Sequence, residues 1–114
     1  MAYLTTYTLK THKSDKCISE ILSQVKKSDF EEMFFAISEQ GRTKESCSWY
    51  DHEGDIIKLS LLFPDTIFDL HGSGEESGDI WHKYFFRGKV QRCRAIITFD
   101  EYNQELLRRP EVMP

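Results

Sequence analysis

The sequence has no long apolar run, and nothing in it approaches the roughly 18 apolar residues of a membrane-spanning helix. Its first residues also lack the charged-then-apolar order of a signal peptide. Cysteine is scarce, with Cys17, Cys47 and Cys93 far apart in the sequence. An odd number of widely spaced cysteines predicts buried reduced thiols in a cytosolic protein. Repeats, low-complexity blocks and linkers are absent as well. These absences predict one domain over residues 1–114, with a frayed tail at 110–114.

Motifs for metals, cofactors and catalysis are missing too. The loop at 72–79 is acidic but lacks the ligand spacing of a calcium loop, and neither a helix nor a lysine follows its glycines as in a phosphate loop. His52 has no second histidine four residues later, so the zinc-protease pattern fails. We therefore expect no cofactor and no metal. A small hydrolase around His52 and the neighbouring acids of 51–55 remains an alternative, although helix starts favour acids for capping alone.

The formal charge of −4 is unevenly distributed. Residues 45–79 contain nine acids and one lysine, giving −8, whereas residues 80–98 contain five bases and no acid, giving +5. Such polarity can steer a charged partner. The alternative is that neighbouring strands of opposite sign pair with each other.

Periodicity and turn chemistry predict both strands and helices. Alternation predicts a strand at 3–10. Helical spacing predicts a helix at 18–25, which Ser14 or Asp15 would cap. It also predicts a helix at 51–62, which begins at Asp51 and is stopped by Pro64. A capping box at Ser28 favours a helix up to Gly41, with a short strand over 33–38 as the alternative. Further strands are predicted at 46–50, 66–71, 80–86 and 89–99, and a closing helix at 101–107.

A two-residue turn at 87–88 fixes the register of the last hairpin, with Tyr84 opposite Gln91 and His82 opposite Cys93. The same reasoning extended across the preceding loop sets Asp69 beside Trp81. Alternating apolar residues in the last strand, from Cys93 to Phe99, indicate that His82 faces the helices. Trp81, Lys83, Phe85, Arg92 and Arg94 are then expected to face outward, and a slip of one residue would invert this. Lys83 opposite Arg92 is unfavourable unless an anion lies nearby.

Two surfaces follow from that register. Glu75, Glu76 and Asp79, in what we call the acidic loop (residues 74–79), would meet a basic partner surface, while Trp81 and Phe85 would supply an apolar anchor. Alternatively, Lys83, Arg92 and Arg94 would hold single-stranded nucleic acid beside the aromatic rings, although the RNA-recognition octamer is absent. The remaining alternative is that Trp81 and Phe85 form a second small core beside a solvated loop.

Several strings between residues 46 and 107 carry a resemblance: Ser48-Trp-Tyr-Asp-His-Glu-Gly-Asp55, Leu59-Ser-Leu-Leu-Phe-Pro64, Gly74-Glu-Glu-Ser-Gly-Asp-Ile-Trp81 and Tyr84-Phe-Phe-Arg-Gly-Lys89. They resemble small uncharacterised proteins of bacteriophages and other mobile elements, which are distantly similar to the ferredoxin-like domain of plasmid and phage proteins. The resemblance implies a ferredoxin-like α+β fold, with an antiparallel sheet of about four or five strands and helices on one face. It brings no catalytic residues.

The resemblance also implies a phage setting, in which small acidic proteins bind and disable host machinery. We therefore expect a non-enzymatic protein-binding module in the bacterial host cytoplasm, acting as an anti-CRISPR-like inhibitor of a defence system. Its partner would be a host protein or ribonucleoprotein complex, with no membrane contact. Self-association as a homodimer is an open alternative. The rival functions are the nucleic-acid binder and the small hydrolase.

Overall fold

The computed structural model describes residues 3–12 and 14–110, which form an α+β fold of four strands and three α-helices. In chain order these elements are β1 (Thr5–His12), α1 (Ile18–Gln24), α2 (Glu31–Ala36), α3 (His52–Leu62), β2 (Ile67–Gly74), β3 (Ile80–Phe86) and β4 (Lys89–Arg94). Two 3-10 turns are also present, at Lys27–Asp29 and Gln104–Leu106. The tail predicted to fray lies mostly outside the described residues.

The local sequence explains where the helices form. Ile21 and Leu22 of α1 are buried, as the apolar spacing predicted. Helix α3 begins after Asp51, whose Oδ1 accepts a hydrogen bond from the Gly54 N–H at 3.2 Å, and it ends just before Pro64. The predictions of α1 and α3 as helices are therefore confirmed, and α2 takes the helical alternative. The predicted caps of α1 and α2 are wrong, because Cys17 and Phe30 precede these helices without a side-chain cap, and α2 ends at Ala36 rather than near Gly41.

The four strands form one antiparallel sheet in the order β1-β2-β3-β4. Arg87 and Gly88 both adopt positive φ, 50° and 79°, as a tight two-residue hairpin turn requires. The predicted β3–β4 register is confirmed, with His82 opposite Cys93. The predicted β2–β3 register is wrong, because β2 continues to Gly74 and thereby places Asp69 opposite Tyr84.

The helices cover one face of the sheet and enclose the core there, as predicted. Fully buried side chains from the strands (Leu9, Phe68, Leu70 and Phe85) meet those of the helices and their connections (Ile21, Leu22, Met33, Ile56 and Leu59). Alternation along the strands leaves the other face uncovered, and we call this the open face.

The prediction of which side chains face outward is wrong. Phe85 is fully buried and Trp81 packs against the core, whereas His82 lies on the open face. The prediction assumed that the last strand runs to Phe99, but β4 ends at Arg94. Ile97 and Phe99 are therefore exposed rather than packed against helices, and their alternation does not mark the core side.

Three other expectations differ from the structure. The closing helix at 101–107 is only a 3-10 turn, and residues 46–50 contribute one isolated bridge, between Cys47 and Thr5. The three thiols are free, but Cys17 is exposed and the other two are half-buried.

Among the described residues, no helix combines the length and apolar character that a bilayer crossing requires.

The ferredoxin-like layout is not confirmed. That layout places its helices in two separate crossovers, β-α-β-β-α-β. In the described residues all three α-helices lie between β1 and β2, and a two-residue turn joins β3 to β4.

Candidate functional site

Of the aromatic pair predicted as a partner anchor, Phe85 is part of the interior and Trp81 is half-buried against it. Phe85 lies opposite Phe68 within the sheet and has no exposed surface. Trp81 stacks on the His52 ring, with centroids 5.2 Å apart, and a Cβ at Gly72 would overlap the indole. Both rings are therefore covered, but by the main core under the helices rather than by a second small core, and Phe85 is not available to a partner in this structure.

Two of the three bases on the predicted basic surface are paired within the chain. Glu53 of α3 accepts two hydrogen bonds from Arg92, both at 2.7 Å, and its Oε2 lies 2.8 Å from the Lys83 Nζ. The hydrogen bonds from Arg92, together with Lys83, outweigh burial and lower the pKa of Glu53 to about 2. Glu53 is thus the nearby anion that the Lys83–Arg92 pair needed. Arg94 lies on the same edge strand and is exposed.

His52 is enclosed rather than poised for catalysis. Its Nδ1 donates to the Trp49 carbonyl at 3.0 Å, and its Nε2 accepts from the Lys83 Nζ at 2.6 Å. Burial lowers the pKa of this imidazole. Asp51 caps α3, and Asp55 accepts a hydrogen bond from the Trp49 indole at 2.8 Å. The ring nitrogens of His52 and two of its neighbouring acids therefore have structural partners.

The acidic loop keeps two glutamates exposed. The Tyr3 hydroxyl donates to the Asp79 carboxylate and accepts from the Glu76 N–H at 3.0 Å, which ties the loop to the chain before β1. The hydrogen bond with Asp79 raises the pKa of Tyr3. The side chains of Glu75 and Glu76 remain exposed, so both are accessible to a partner.

Residues 95–107, which we call the arm, leave the sheet after β4 and carry the largest group of exposed apolar side chains. These are Ile96, Ile97, Phe99, Tyr102, Leu106 and Leu107, between 61% and 90% exposed. The arm contributes to an elongated shape of 58 × 36 × 24 Å, with a radius of gyration of 18.2 Å. A compact domain of this length would have a radius of gyration of about 13 Å.

The base of the arm adjoins the acidic loop. The Ile97 Cδ1 would lie 3.4 Å from a Cβ built on Gly78, which is within van der Waals distance. The carboxylates of the loop and the apolar side chains at the base of the arm are therefore neighbours in space. Sequence reasoning missed the arm because residues up to 99 were assigned to the last strand and residues 101–107 to a closing helix.

A cluster of histidines on the open face was also missed. The Asp69 carboxylate lies 3.0 Å from His12 Nε2 and 2.8 Å from His82 Nδ1, and the His71 ring stacks on His82 with centroids 4.4 Å apart. Since an ionised carboxylate only accepts hydrogen bonds, both imidazoles donate to it. Asp69 and His71 are two positions apart in β2, and this spacing could have indicated a shared face.

The cluster does not have the geometry of a metal centre. Within residues 3–12 and 14–110, no group of three His, Cys, Asp or Glu side chains is arranged to hold a metal ion. The Asp69 side chain is 8% exposed, whereas those of His12 and His82 are 47% and 43% exposed. The cluster therefore presents two imidazoles to solvent above a nearly buried carboxylate.

Comparisons with protein-family models, with curated proteins and with solved structures found no match. Function is therefore inferred from the fold and from these surfaces.

Proposed function

We propose that this chain is a non-enzymatic protein-binding module that docks on a basic protein surface through the acidic loop and the arm. The observation that supports this proposal is the exposure of six large apolar side chains within twelve consecutive positions, 96–107. Isolated exposed apolar residues are ordinary on protein surfaces. A contiguous group bordered by polar residues is typical of an interaction site.

The charge of this surface favours a basic partner. The acidic loop and the arm each contain three carboxylates, and neither contains lysine or arginine, so together they carry a formal charge of −6. Complementary charge speeds encounter and suppresses wrong partners, whereas burial of apolar side chains supplies most of the affinity. A basic surface with an apolar groove satisfies both requirements.

We assign the role of apolar anchor to the arm rather than to Trp81 and Phe85, the residues predicted from the sequence. Phe99 is the most exposed aromatic side chain of the described residues, at 90%, and Ile97 lies beside the acidic loop. Aromatic residues surrounded by other contacts dominate many binding energies. We therefore assign Phe99 the anchor role, with Glu75 and Glu76 providing charge.

We further propose that the partner belongs to a bacterial defence complex, which this chain inhibits in the host cytoplasm. The resemblance to phage and mobile-element proteins supports this setting. Complexes that handle nucleic acid carry basic surfaces for phosphate contacts, and an acidic, apolar ligand can occupy such a surface. The ferredoxin-like layout does not enter the proposal, because the binding surface does not depend on it.

Apart from exposed Arg94, the residues assigned to the two rival functions are engaged by partners within the chain. Two of the three bases assigned to nucleic acid, Lys83 and Arg92, are engaged with Glu53. The ring nitrogens of His52 are occupied as well.

The proposal can be tested with two matched variants. Phe99→Asp introduces a charge into the arm, and Phe35→Asp introduces the same charge at a residue that is 82% exposed on α2. The immobilised chain captures proteins from bacterial lysate, and the affinity of each variant for the purified captured partner is then measured. We expect Phe35→Asp to bind like the unmodified chain and Phe99→Asp to bind at least about tenfold more weakly.

Charge reversal gives a second measurement on the same partner. The double variant Glu75→Lys, Glu76→Lys should weaken binding and flatten its dependence on salt, because exposed charges are screened. Equal affinity of Phe99→Asp and Phe35→Asp would contradict the proposal. A second result would also overturn the proposal: sedimentation shows that the chain is a homodimer, and Phe99→Asp dissociates this dimer whereas Phe35→Asp does not. The arm would then bind a second copy of the chain rather than a basic partner.

A further inference from the structure

An open cavity of about 650 Å³ lies on the open face, and nothing above assigns it a role. It is at the end of the sheet where β3 turns into β4, opposite the end that carries the acidic loop. Its volume falls within the range of about 300–1,000 Å³ that is common for small-molecule sites. Its walls include Ile67, Tyr84, Phe86 and Val90, with His12 and Lys89 as charged or titratable groups.

The electrostatics of the open face differ from those of the acidic chain as a whole. Alternation within the observed registers places Lys10, Lys89 and the histidines at 12, 71 and 82 on this face. Among the described strand residues, Asp69 is the only acid that this alternation places there. Because Asp69 lies beneath His12 and His82, the outermost formal charges of the face are those of Lys10 and Lys89. The face therefore favours an anion.

Asp69 also fixes the orientation of His12 at the cavity wall. Burial alone would raise the pKa of Asp69, but the hydrogen bonds from His12 and His82 outweigh it and lower the pKa. The carboxylate therefore stays ionised and accepts the Nε2–H of His12. The Nδ1 of the same ring is left to meet a ligand.

We infer that this cavity binds a small molecule that joins an aromatic ring to a phosphate, as a nucleoside monophosphate does. The ring packs against Tyr84 and Phe86, because aromatic faces stack on any base without needing a specific hydrogen-bond pattern. The phosphate meets Lys89 and the Nδ1 of His12, which are the groups at the cavity able to carry positive charge. The Nδ1 donates to the phosphate in the imidazolium form, because the neutral ring gives its one N–H to Asp69. This site is separate from the acidic loop and the arm, so it can be tested independently of the proposed protein partner.

Titration calorimetry of the full chain with adenosine 5′-monophosphate tests the inference, with adenosine and inorganic phosphate as comparison ligands. The monophosphate should bind more tightly than either fragment. Lys89→Ala should weaken it about tenfold, the usual effect of losing one charge-assisted hydrogen bond. The matched control is Lys26→Ala, which removes an exposed lysine from the helical side and should leave the affinity unchanged.

A second pair of variants separates the two halves of the ligand. His12→Gln should reduce the advantage of the monophosphate over adenosine, whereas Tyr84→Leu should weaken both ligands and leave inorganic phosphate unaffected. Circular dichroism establishes that each variant is folded. Equal affinity for adenosine and its monophosphate, or equal effects of Lys89→Ala and Lys26→Ala, would overturn the inference. So would the absence of any heat of binding for the monophosphate.

Discussion

Phe85 in β3 and Phe99 in the arm are the same residue type, yet Phe85 is fully buried and Phe99 is 90% exposed. Phe85 lies in a paired strand, opposite Phe68, and faces the helical layer. Phe99 lies beyond the end of β4, where no described strand or helix covers it. The difference shows that an apolar residue becomes core only where the fold supplies a second layer. An apolar segment without such a layer stays exposed, and in our proposal another molecule covers it.

The largest effect should be the difference in stability between truncating Phe85 and truncating Phe99. Phe85→Ala removes a fully buried aromatic side chain and should lower the free energy of unfolding by about 3–5 kcal/mol. Phe99→Ala should change it by less than about 0.5 kcal/mol, because that side chain is 90% exposed. Denaturant unfolding of both variants measures the contrast. A large loss for Phe99→Ala would show that the arm packs on the body.

A smaller effect is expected where the sheet approaches Trp81. Gly72→Ala places a methyl group against the indole and should lower the free energy of unfolding by about 1–3 kcal/mol, as overpacking usually does. Ser73→Ala is the control, since Ser73 is the next residue and is exposed. Thermal unfolding compares the two variants. A neutral Gly72→Ala would mean that Trp81 is not held against the sheet.

The next effect concerns the ion pairs that hold β3 and β4 against α3. Glu53→Gln removes the charge that Lys83 and Arg92 share and should cost about 1–2 kcal/mol, because a half-buried cation loses its partner. Exposed Glu45→Gln is the control. Equal unfolding midpoints for the two variants would show that the cluster contributes nothing to stability.

The smallest effect should appear on acidification. The pKa of Glu53 is about 2 in the folded chain against an ordinary value of 4.5, so the folded state binds this proton more weakly than the unfolded state does. The stability that Glu53 contributes is therefore complete above pH 4.5 and is lost as the pH falls towards 2. The difference in unfolding midpoint between the unmodified chain and Glu53→Gln should shrink over that interval. A constant difference would contradict the assigned shift.

Much of the framework could be predicted from the sequence because it depends on local chemistry. Asp51 caps α3 through its own side chain, and the turn at Arg87 and Gly88 fixes the last hairpin. Such features need only a few neighbouring residues. The α+β class and the helical layer on one face follow from them.

The candidate sites could not be predicted because they depend on partners distant in sequence. Residues 93–99 alternate like a strand, but β3 begins at Ile80, which pairs with Ala95, so later residues have no strand to pair with. Assigning them to the sheet inverted the faces. The anion beside Lys83 and Arg92 likewise comes from Glu53 on α3, and no local pattern indicates that contact.

Hydrogen–deuterium exchange of the arm tests the central claim most directly. In the free chain, amides of residues 96–107 should exchange rapidly, whereas those of β2 and β3 should be protected. Addition of the captured basic partner should slow exchange in the arm and in the acidic loop together. Protection of the arm in the free monomer, or an arm that remains fast in the complex, would contradict the account.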